Sequence, residues 1–147
     1  MLNYAKDEGA KDITKAHFLD AGFDLACPKE TICLPHRATL IDTGIHVKLE
    51  PDEVGFIQPR SSTLGIGLLV VTGTIDAGYT GALKIQVVNL SDYRIEIKEG
   101  QRIAQLVVLK NSRAFEAPKL VPLQVITDTN SELLDTRLNK GFGSSGK

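Results

Sequence analysis

Several residue types are scarce or missing in this chain. Its 147 residues include no tryptophan, one methionine and only two cysteines, Cys27 and Cys33. Two thiols cannot form the disulfide framework of a small secreted domain, and the residues around them do not supply the further ligands of a zinc site. Both are therefore expected to be buried free thiols. His17, His36 and His46 show no metal-ligand spacing, and His46 is expected to face solvent.

Charge imbalance and long apolar runs are missing as well. The formal net charge is −1, so the composition predicts no broad basic surface for nucleic acid. No run approaches the ~20 apolar residues of a membrane-spanning helix, and the first residues lack the apolar core of a secretory signal. We therefore expect a cytoplasmic protein with neither a nucleic-acid partner nor a membrane partner.

Short, regularly spaced apolar segments dominate what is present. No window of a dozen residues has a helical period, whereas alternation or β-branched composition favours strands. The segments are residues 38–49, 54–57, 83–88, 95–97, 103–109 and, between two prolines, 118–126. The pattern predicts one all-β domain over residues 18–128, built as a sandwich or barrel. Residues 1–17 are expected to form a loosely ordered arm and residues 129–147 a flexible one.

The stretch GTIDAGYTG, residues 73–81, separates two apolar runs, residues 68–71 and 83–88. A glycine-containing break between such runs predicts two paired strands with a loop between them. The glycines permit positive φ or a close approach of the backbone to a ligand, and Asp76 would then stand on a rigid frame. The simpler interpretation is a β-turn whose Asp76 and Tyr79 face water.

Three further segments carry groups that can bind anions. Arg60 follows a strand together with two serine hydroxyls, which indicates either an anion clamp or an ordinary strand-ending turn. Gln105 lies inside an apolar strand, where its amide either satisfies the backbone or faces a site. Residues 141–147 (GFGSSGK) match most of a Walker A loop, but the strand, hydroxyl residue and helix that confirm such a loop are missing. Glycines and serines of this kind can still wrap phosphates; otherwise the segment is a solubilising tail.

Taken together, the order and spacing of these segments resemble the five motifs of the trimeric dUTPases. The motifs are DAGFDL (residues 20–25), PRSS (59–62), GTIDAGYTG (73–81), GQRIAQL (100–106) and RLNKGFGSSG (137–146). The resemblance implies a jelly-roll-like β-barrel or sandwich that assembles as a homotrimer, with active sites between subunits and a C-terminal arm that closes a neighbouring site. It also implies Mg²⁺-assisted hydrolysis of dUTP to dUMP and pyrophosphate, which removes dUTP from the DNA precursor pool and supplies dUMP for thymidylate synthesis.

The same resemblance implies individual roles. Asp76 activates the water that attacks the α-phosphorus, and Tyr79 packs under the deoxyribose. The backbone around Gly73 and Ile75 reads the uracil, while Asp24 lies near the water shell of the metal. Phosphate contacts are implied for Arg60, Ser61, Ser62 and Gln105. The residues implied to cover the substrate from the C-terminal arm are Arg137, Phe142, Gly143, Ser144 and Ser145. Positioning, positive charge and a base are what phosphoryl substitution by water requires.

Two departures and two alternatives remain. Thr80 and Ala82 stand where many dUTPases carry longer polar side chains, which is expected to adjust the loop or an interface.

The dCTP deaminases share the fold but carry a catalytic glutamate ten positions after the motif aspartate, where this chain has Gln86. An amide cannot act as a general base. The second alternative is a trimeric binding module, or a dUTPase that also contacts a regulatory protein partner.

Overall fold

Strands account for nearly all the regular structure of residues 2–111, the part of the chain that the computed structural model describes. The elements are β1 (Asn3–Lys6), β2 (Gly22–Ala26), β3 (Thr31–Cys33), β4 (Ala38–Asp42), β5 (Ile45–Lys48), β6 (Glu53–Pro59), α1 (Ser61–Gly65), β7 (Leu68–Val71), β8 (Gly73–Ile75), β9 (Lys84–Asn89), β10 (Ile95–Ile97) and β11 (Arg102–Lys110). The prediction of an all-β fold is confirmed. Over residues 2–111, no helix is long and apolar enough to cross a membrane.

Two larger antiparallel sheets enclose the core. One has the strand order β2-β11-β6-β8 and the other β4-β9-β7, while β1 pairs with β5 and β3 with β10. Alternate residues along each strand point inward, so the two larger sheets contribute to one apolar cluster. That cluster includes the buried side chains of Leu25, Ile57, Ile85, Val87 and Leu106. The central strand β11 bonds β2 on one side and β6 on the other.

The single strand predicted over residues 38–49 is wrong in one respect, because the chain breaks it into β4 and β5. Gly44 between them has φ +65°, a conformation that side chains with a Cβ rarely adopt. The buried Thr43 hydroxyl donates to the Leu83 carbonyl at 2.7 Å and accepts from the Ile45 N–H at 3.1 Å. These side-chain bonds add to main-chain bonds from the Thr43 N–H to the Leu83 carbonyl and from the Leu83 N–H to the Ile45 carbonyl, and together they fix the bend.

The first seventeen residues are more ordered than their composition predicts. β1 pairs with β5 over four residues, Ala10 is buried, and Thr14 forms an isolated bridge with Asp24. All four side chains of β1 are exposed, so its stability depends on main-chain hydrogen bonds. A strand of that kind leaves no apolar alternation in the sequence.

The strands on either side of the GTIDAGYTG stretch pair with each other, as predicted: β7 is antiparallel to β9, with Leu68 opposite Asn89. The stretch is more than a loop, however, because its first three residues form β8, which pairs with β6 in the other sheet. The short helix α1 was also not predicted. It is fixed by the buried Thr63 hydroxyl, which donates to the Ile103 carbonyl at 2.8 Å.

Cys27 and Cys33 are free and buried, as expected. Burial raises the pKa of the Cys33 thiol, which keeps it protonated and unreactive. The predictions for the segment 118–126, for the C-terminal arm and for Arg137, Phe142, Gly143, Ser144 and Ser145 lie outside the described residues.

Candidate active site

A buried carboxylate between two arginines organises one side of the site. Asp24 on β2 is 8 % exposed. Its Oδ1 accepts from Arg60 Nε at 2.7 Å, and its Oδ2 accepts from Arg102 Nη1 at 3.1 Å. Arg60 Nη1 also donates to the Arg102 carbonyl at 3.3 Å. Charge-assisted bonds of this kind hold a guanidinium in one orientation, so Arg60 keeps a fixed position, and its Nη2 makes no hydrogen bond with the described residues.

The register of β11 brings Gln105 to the same place. Gln105 lies opposite Asp24 on β2 and opposite Gln58 on β6, and its Nε2 donates to the Pro59 carbonyl at 3.0 Å. The amide therefore satisfies the backbone and also faces a small cavity of about 210 Å³. The residues lining that cavity are Ala16, Asp20, Ala21, Gly22, Asp24, Arg60, Ser61 and Gln105. We call it the phosphate cavity.

Gly22 is required for this arrangement. A Cβ at this position would lie 2.5 Å from Gln105 Oε1, closer than any real contact. The chain therefore needs glycine here for close packing rather than for an unusual φ. The residue type was visible in the DAGFDL motif, but its partner could be found only from the pairing of β2 with β11.

The sequence predictions placed Ser61 and Ser62 together, whereas the structure separates them. Ser61 lines the phosphate cavity, and Ser62 lines a neighbouring cavity of about 420 Å³ with Arg102 and Gln101. Sequence reasoning missed Arg102, which binds Asp24 directly. The available signal was its place in the same motif as Gln105, but only the strand register shows the contact.

Asp76 stands at the start of a loop, residues 76–82, that follows β8. The Tyr79 N–H donates to the Asp76 carbonyl at 2.9 Å, which closes a turn, and the Tyr79 hydroxyl donates to the Ala82 carbonyl at 2.9 Å. The Tyr79 ring folds back over Gly81, where a Cβ would lie 2.6 Å from the hydroxyl oxygen. The loop thus holds an exposed carboxylate and an aromatic ring in one rigid turn.

The remaining predicted residues of this stretch contribute backbone. The Ile75 side chain is buried, so only its main chain is available to a ligand. Gly73 has open space where a Cβ would stand, apart from Ile57 at 3.9 Å. Neither Gly73, Gly78 nor Gly81 has positive φ, so of the two properties that glycine permits here, close approach of the backbone is the relevant one.

Within one chain, the loop and the phosphate cavity are separate. A cavity of about 420 Å³ beneath the loop is lined by Tyr79 and Thr80 on one side and by residues of β1 and β5, including His46, on the other. It shares no lining residue with the phosphate cavity. His46 lies on the outward face of β5 and is partly exposed, as predicted, but its ring also contacts Thr80 and Asp7, which the sequence did not indicate.

Oxygen ligands for a metal ion are sparse in this region. No group of three or more His, Cys, Asp or Glu residues in the described part of the chain could hold an ion. Both Asp24 oxygens already accept hydrogen bonds from arginines. Mg²⁺ commonly binds through waters and substrate phosphates, with one or two carboxylates nearby. Asp20 and Asp24 are the carboxylates that line the phosphate cavity, so they are the ones that would lie near an ion brought in on a polyphosphate.

Comparisons with known proteins agree with this geometry. The family model described as dUTPase matches residues 8–146. The deoxyuridine 5'-triphosphate nucleotidohydrolase of Rhodococcus erythropolis is 39% identical over 136 residues, which cover 90% of this chain and 77% of that protein.

Two solved structures of phage enzymes are also similar. A variant of the Staphylococcus bacteriophage 80alpha dUTPase with dUpNHpp has a TM-score of 0.79 at 27% identity and covers 100% of this chain and 99% of its own. A variant of the dUTPase from phage phi11 of S. aureus, whose structure concerns coordination of a structural Mg(II) ion, has a TM-score of 0.71 at 27% identity. It covers 82% of this chain and 95% of its own. Motifs, fold and comparisons together show that this chain belongs to the dUTPase family.

Proposed function

We propose that this protein hydrolyses dUTP to dUMP and pyrophosphate. Family membership supports the reaction class, and the R. erythropolis relative carries the name of that activity. The phage 80alpha dUTPase was solved with dUpNHpp, a nucleotide of the matching chemistry. Two features of the described chain support the proposal: an exposed acid near an aromatic ring in one loop, and an arginine in a cavity lined by groups that can bind an anion.

The main support for the mechanism is that Asp24 and Asp76 differ in their hydrogen-bond partners. Both Asp24 oxygens are bound by arginines, so that carboxylate is committed to charge pairing. The Asp76 side chain makes no hydrogen bond or ion pair with any described residue and lies exposed at the end of β8. An ionised carboxylate accepts hydrogen bonds only, so Asp76 is free to accept a proton from water. We assign Asp76 as the general base.

In the proposed reaction, the water oxygen attacks the α-phosphorus while its proton passes to Asp76. The bond from the α-phosphorus to the bridging oxygen breaks, and the pair of electrons leaves with pyrophosphate. Charge builds on the phosphoryl oxygens during this step. The fixed guanidinium of Arg60 supplies positive charge without needing to reorganise. Mg²⁺ on the triphosphate would add Lewis-acid neutralisation of the same oxygens.

Substrate selection is assigned to the loop and the strand before it. The Tyr79 ring offers a flat apolar surface under the sugar, where a 2′-hydroxyl would have no room. The main chain of Gly73 and Ile75 offers N–H and C=O groups to the edge of the base, since neither residue presents a side chain outward. Backbone groups in fixed strands are rigid, and they select by hydrogen-bond geometry.

We assign the triphosphate to the phosphate cavity, with contacts from Arg60, Ser61 and Gln105 and a further hydroxyl from Ser62. The C-terminal arm would then close over the nucleotide. Its Arg137 is a bidentate phosphate donor, and its Phe142 ring is suited to stack on uracil. The serines and glycine that follow, Gly143, Ser144 and Ser145, would grip the terminal phosphate. Closure of this kind excludes water and completes the site.

The separation of the loop from the phosphate cavity supports a site shared between subunits, and we propose a homotrimer. The outer face of the β4-β9-β7 sheet presents apolar side chains that are exposed in one chain, including Leu40, Leu69 and Val71. In the strand register these lie beside Gln86 and Val88, so two adjoining rows of side chains cross all three strands. A surface of this kind is typical of contacts between copies.

Turnover of dUTP with Mg²⁺ tests the activity directly. We expect pyrophosphate release from dUTP and no ammonia from dCTP. Gln86 lies exposed on the outer sheet face and cannot serve as the base of a deaminase. Asp76→Asn should lower kcat by about 10²-fold or more, as loss of a general base does, while the matched variant Asp92→Asn, also exposed, should retain wild-type activity. Ammonia release from dCTP would contradict the proposal.

Mixing two inactive variants tests the shared site. Asp76→Asn disables the loop, and Arg60→Met disables the phosphate cavity, so neither homotrimer should turn over dUTP. If each site combines residues from different subunits, trimers reassembled from both variants contain some intact sites and regain activity. Sedimentation should show three times the 15.9 kDa chain mass. A trimer without regained activity would place the whole site within one chain.

A further inference from the structure

The Asp76 loop, residues 76–82, has one hydrogen bond to the rest of the described chain. Its internal bonds join Tyr79 to Asp76 and to Ala82. The outside bond is from His46 Nδ1 on β5 to the Thr80 carbonyl, at 3.0 Å. Ala77, near the start of the loop, packs against the core, whereas a cavity lies between β5 and Tyr79 and Thr80. On that side, the hydrogen bond from His46 is the one that joins the loop to the described part of the chain.

The second ring nitrogen of His46 has a partner as well. Nε2 lies 3.3 Å from Asp7 Oδ2, in the segment that follows β1. A carbonyl oxygen and a carboxylate oxygen are both acceptors, so each ring nitrogen must donate to satisfy its partner. Only the doubly protonated imidazolium can donate from both nitrogens. The hydrogen-bond geometry thus selects the charged ring.

We propose that His46 is a positioning residue for the Asp76 loop, holding Thr80 and the adjacent Tyr79 in place as an imidazolium that also binds Asp7. The inference rests on the proposed function, because it concerns the loop that carries Asp76 and Tyr79. It connects the Asp76 loop with Asp7 in the N-terminal segment, and neither His46 nor Asp7 belongs to the five motifs. The N-terminal segment therefore helps to hold the Asp76 loop in place.

The charges around His46 agree with this protonation state. Hydrogen bonds to the Thr80 carbonyl and to Asp7 raise the pKa of His46 above its ordinary value of 6.5, while burial opposes them. Asp42 at the end of β4 acts in the same direction and is itself 3.6 Å from Lys84 Nζ. Lys48 lies two residues further along the same face of β5 and is a cation on that face.

The sign of the pH dependence follows from a raised pKa. We call the two hydrogen bonds of His46, to Thr80 and to Asp7, the tether. Both bonds are complete below pH 6.5, and the bond to Asp7 is lost as the pH rises through the higher pKa of the folded protein. A neutral ring keeps one N–H, so it can retain the bond to Thr80 but then turns a lone pair toward the Asp7 carboxylate. We expect the loop to loosen, and the KM for dUTP to rise, over that pH range.

Ring-nitrogen NMR of the full-length protein tests the protonation state without any turnover. At pH 6.5 we expect both nitrogens of His46 to be protonated in more than half of the molecules. Asp7→Asn should move this titration to lower pH while leaving the loop sequence unchanged. The backbone signals of Tyr79 and Thr80 should shift along the same titration curve. The proposal would be overturned if the His46 ring is mainly neutral at pH 6.5, or if the backbone signals of Tyr79 and Thr80 do not change as His46 titrates.

Kinetics of matched variants test the positioning role. His46→Phe keeps a ring but removes both donors, and we expect the KM for dUTP to rise about threefold to tenfold, the effect of losing one ordinary hydrogen bond, with kcat nearly unchanged. His46→Gln can still donate to Thr80 but does not titrate, so the rise of KM with pH should flatten. His36→Gln is the control, because His36 forms a similar pair with Asp92 on loops outside the site.

The two proposals fail in different ways. Suppose that the wild-type protein does not hydrolyse dUTP, but that His46 is doubly protonated and its titration shifts the NMR signals of the loop. The proposed function is then wrong, and the positioning role of His46 is still supported. If dUTP is hydrolysed but His46→Phe matches wild type in KM and in its pH profile, the tether fails. Should His46→Phe not fold, Asp7→Asn decides the outcome through the KM and the NMR titration.

Discussion

Replacement of Asp24 by asparagine should separate charge pairing from shape in the phosphate cavity. The side chain keeps its size, but one carboxylate oxygen becomes an NH₂ donor. Arg60 Nε and Arg102 Nη1 each donate to a different Asp24 oxygen, so one of these two bonds becomes a contact between two donors. Both guanidinium groups also lose their counter-charge.

The expected size of the effect follows from burial. Breaking a fully buried ion pair costs about 3–5 kcal/mol, but the Arg60 and Arg102 side chains are 25% and 47% exposed, so water screens both. A charge-assisted hydrogen bond contributes about 1.5–3 kcal/mol. We therefore expect Asp24→Asn to lower the free energy of unfolding by about 2 kcal/mol. For a domain of this size, that corresponds to a fall in Tm of about 4–8 °C.

Denaturation and kinetics measure the two consequences separately. Urea or thermal unfolding at one fixed protein concentration gives the stability change, because association with other copies would make Tm concentration-dependent. The KM for dUTP should rise, since Arg60 loses the partner that orients it. Asp92→Asn is the control: that carboxylate is 85% exposed in its pair with His36 and should change stability by less than about 0.5 kcal/mol. If Asp24→Asn matches Asp92→Asn in both measurements, Asp24 does not organise the cavity.

Three further substitutions test close packing and a buried polar group. Gly22→Ala should push Gln105 away from its contact and raise the KM for dUTP several-fold with little change in Tm, because a Cβ would lie 2.5 Å from the amide oxygen. Gly81→Ala should displace the Tyr79 ring and reduce the preference for dUTP over UTP in competition assays. Asn89→Ala should lower the free energy of unfolding by about 2–3 kcal/mol in urea titrations, because its buried amide satisfies several loop groups that would lose their partner.

Most of the strands could be predicted from the sequence because their apolar residues recur with the period of a half-buried sheet. Strand β11 is the clearest case, since its nearly continuous apolar run matches its position between β2 and β6. β1 could not be predicted, because its side chains are exposed and its pairing uses main-chain groups. The break at Gly44 depends on Thr43, whose bond to Leu83 joins positions far apart in the chain.

The site was predictable in composition but not in its contacts. Asp76 and Tyr79 could be identified from one continuous motif, and the structure places both in a single turn. Arg102 and His46 were missed for a common reason: each acts through a partner that only strand register or loop position brings near. A residue that supports another residue has no local pattern of its own.

The central position of β11 has a consequence for how activity arises during folding. Asp24, Pro59 and Gln105 come from distant parts of the chain, and they meet only when β11 has paired with both β2 and β6. A slip of one residue would turn Gln105 to the opposite face of the sheet. Such non-local pairing forms slowly. The proposed nucleotide binding therefore depends on the completed sheet, and a nascent or cleaved chain that lacks β11 would have no phosphate cavity.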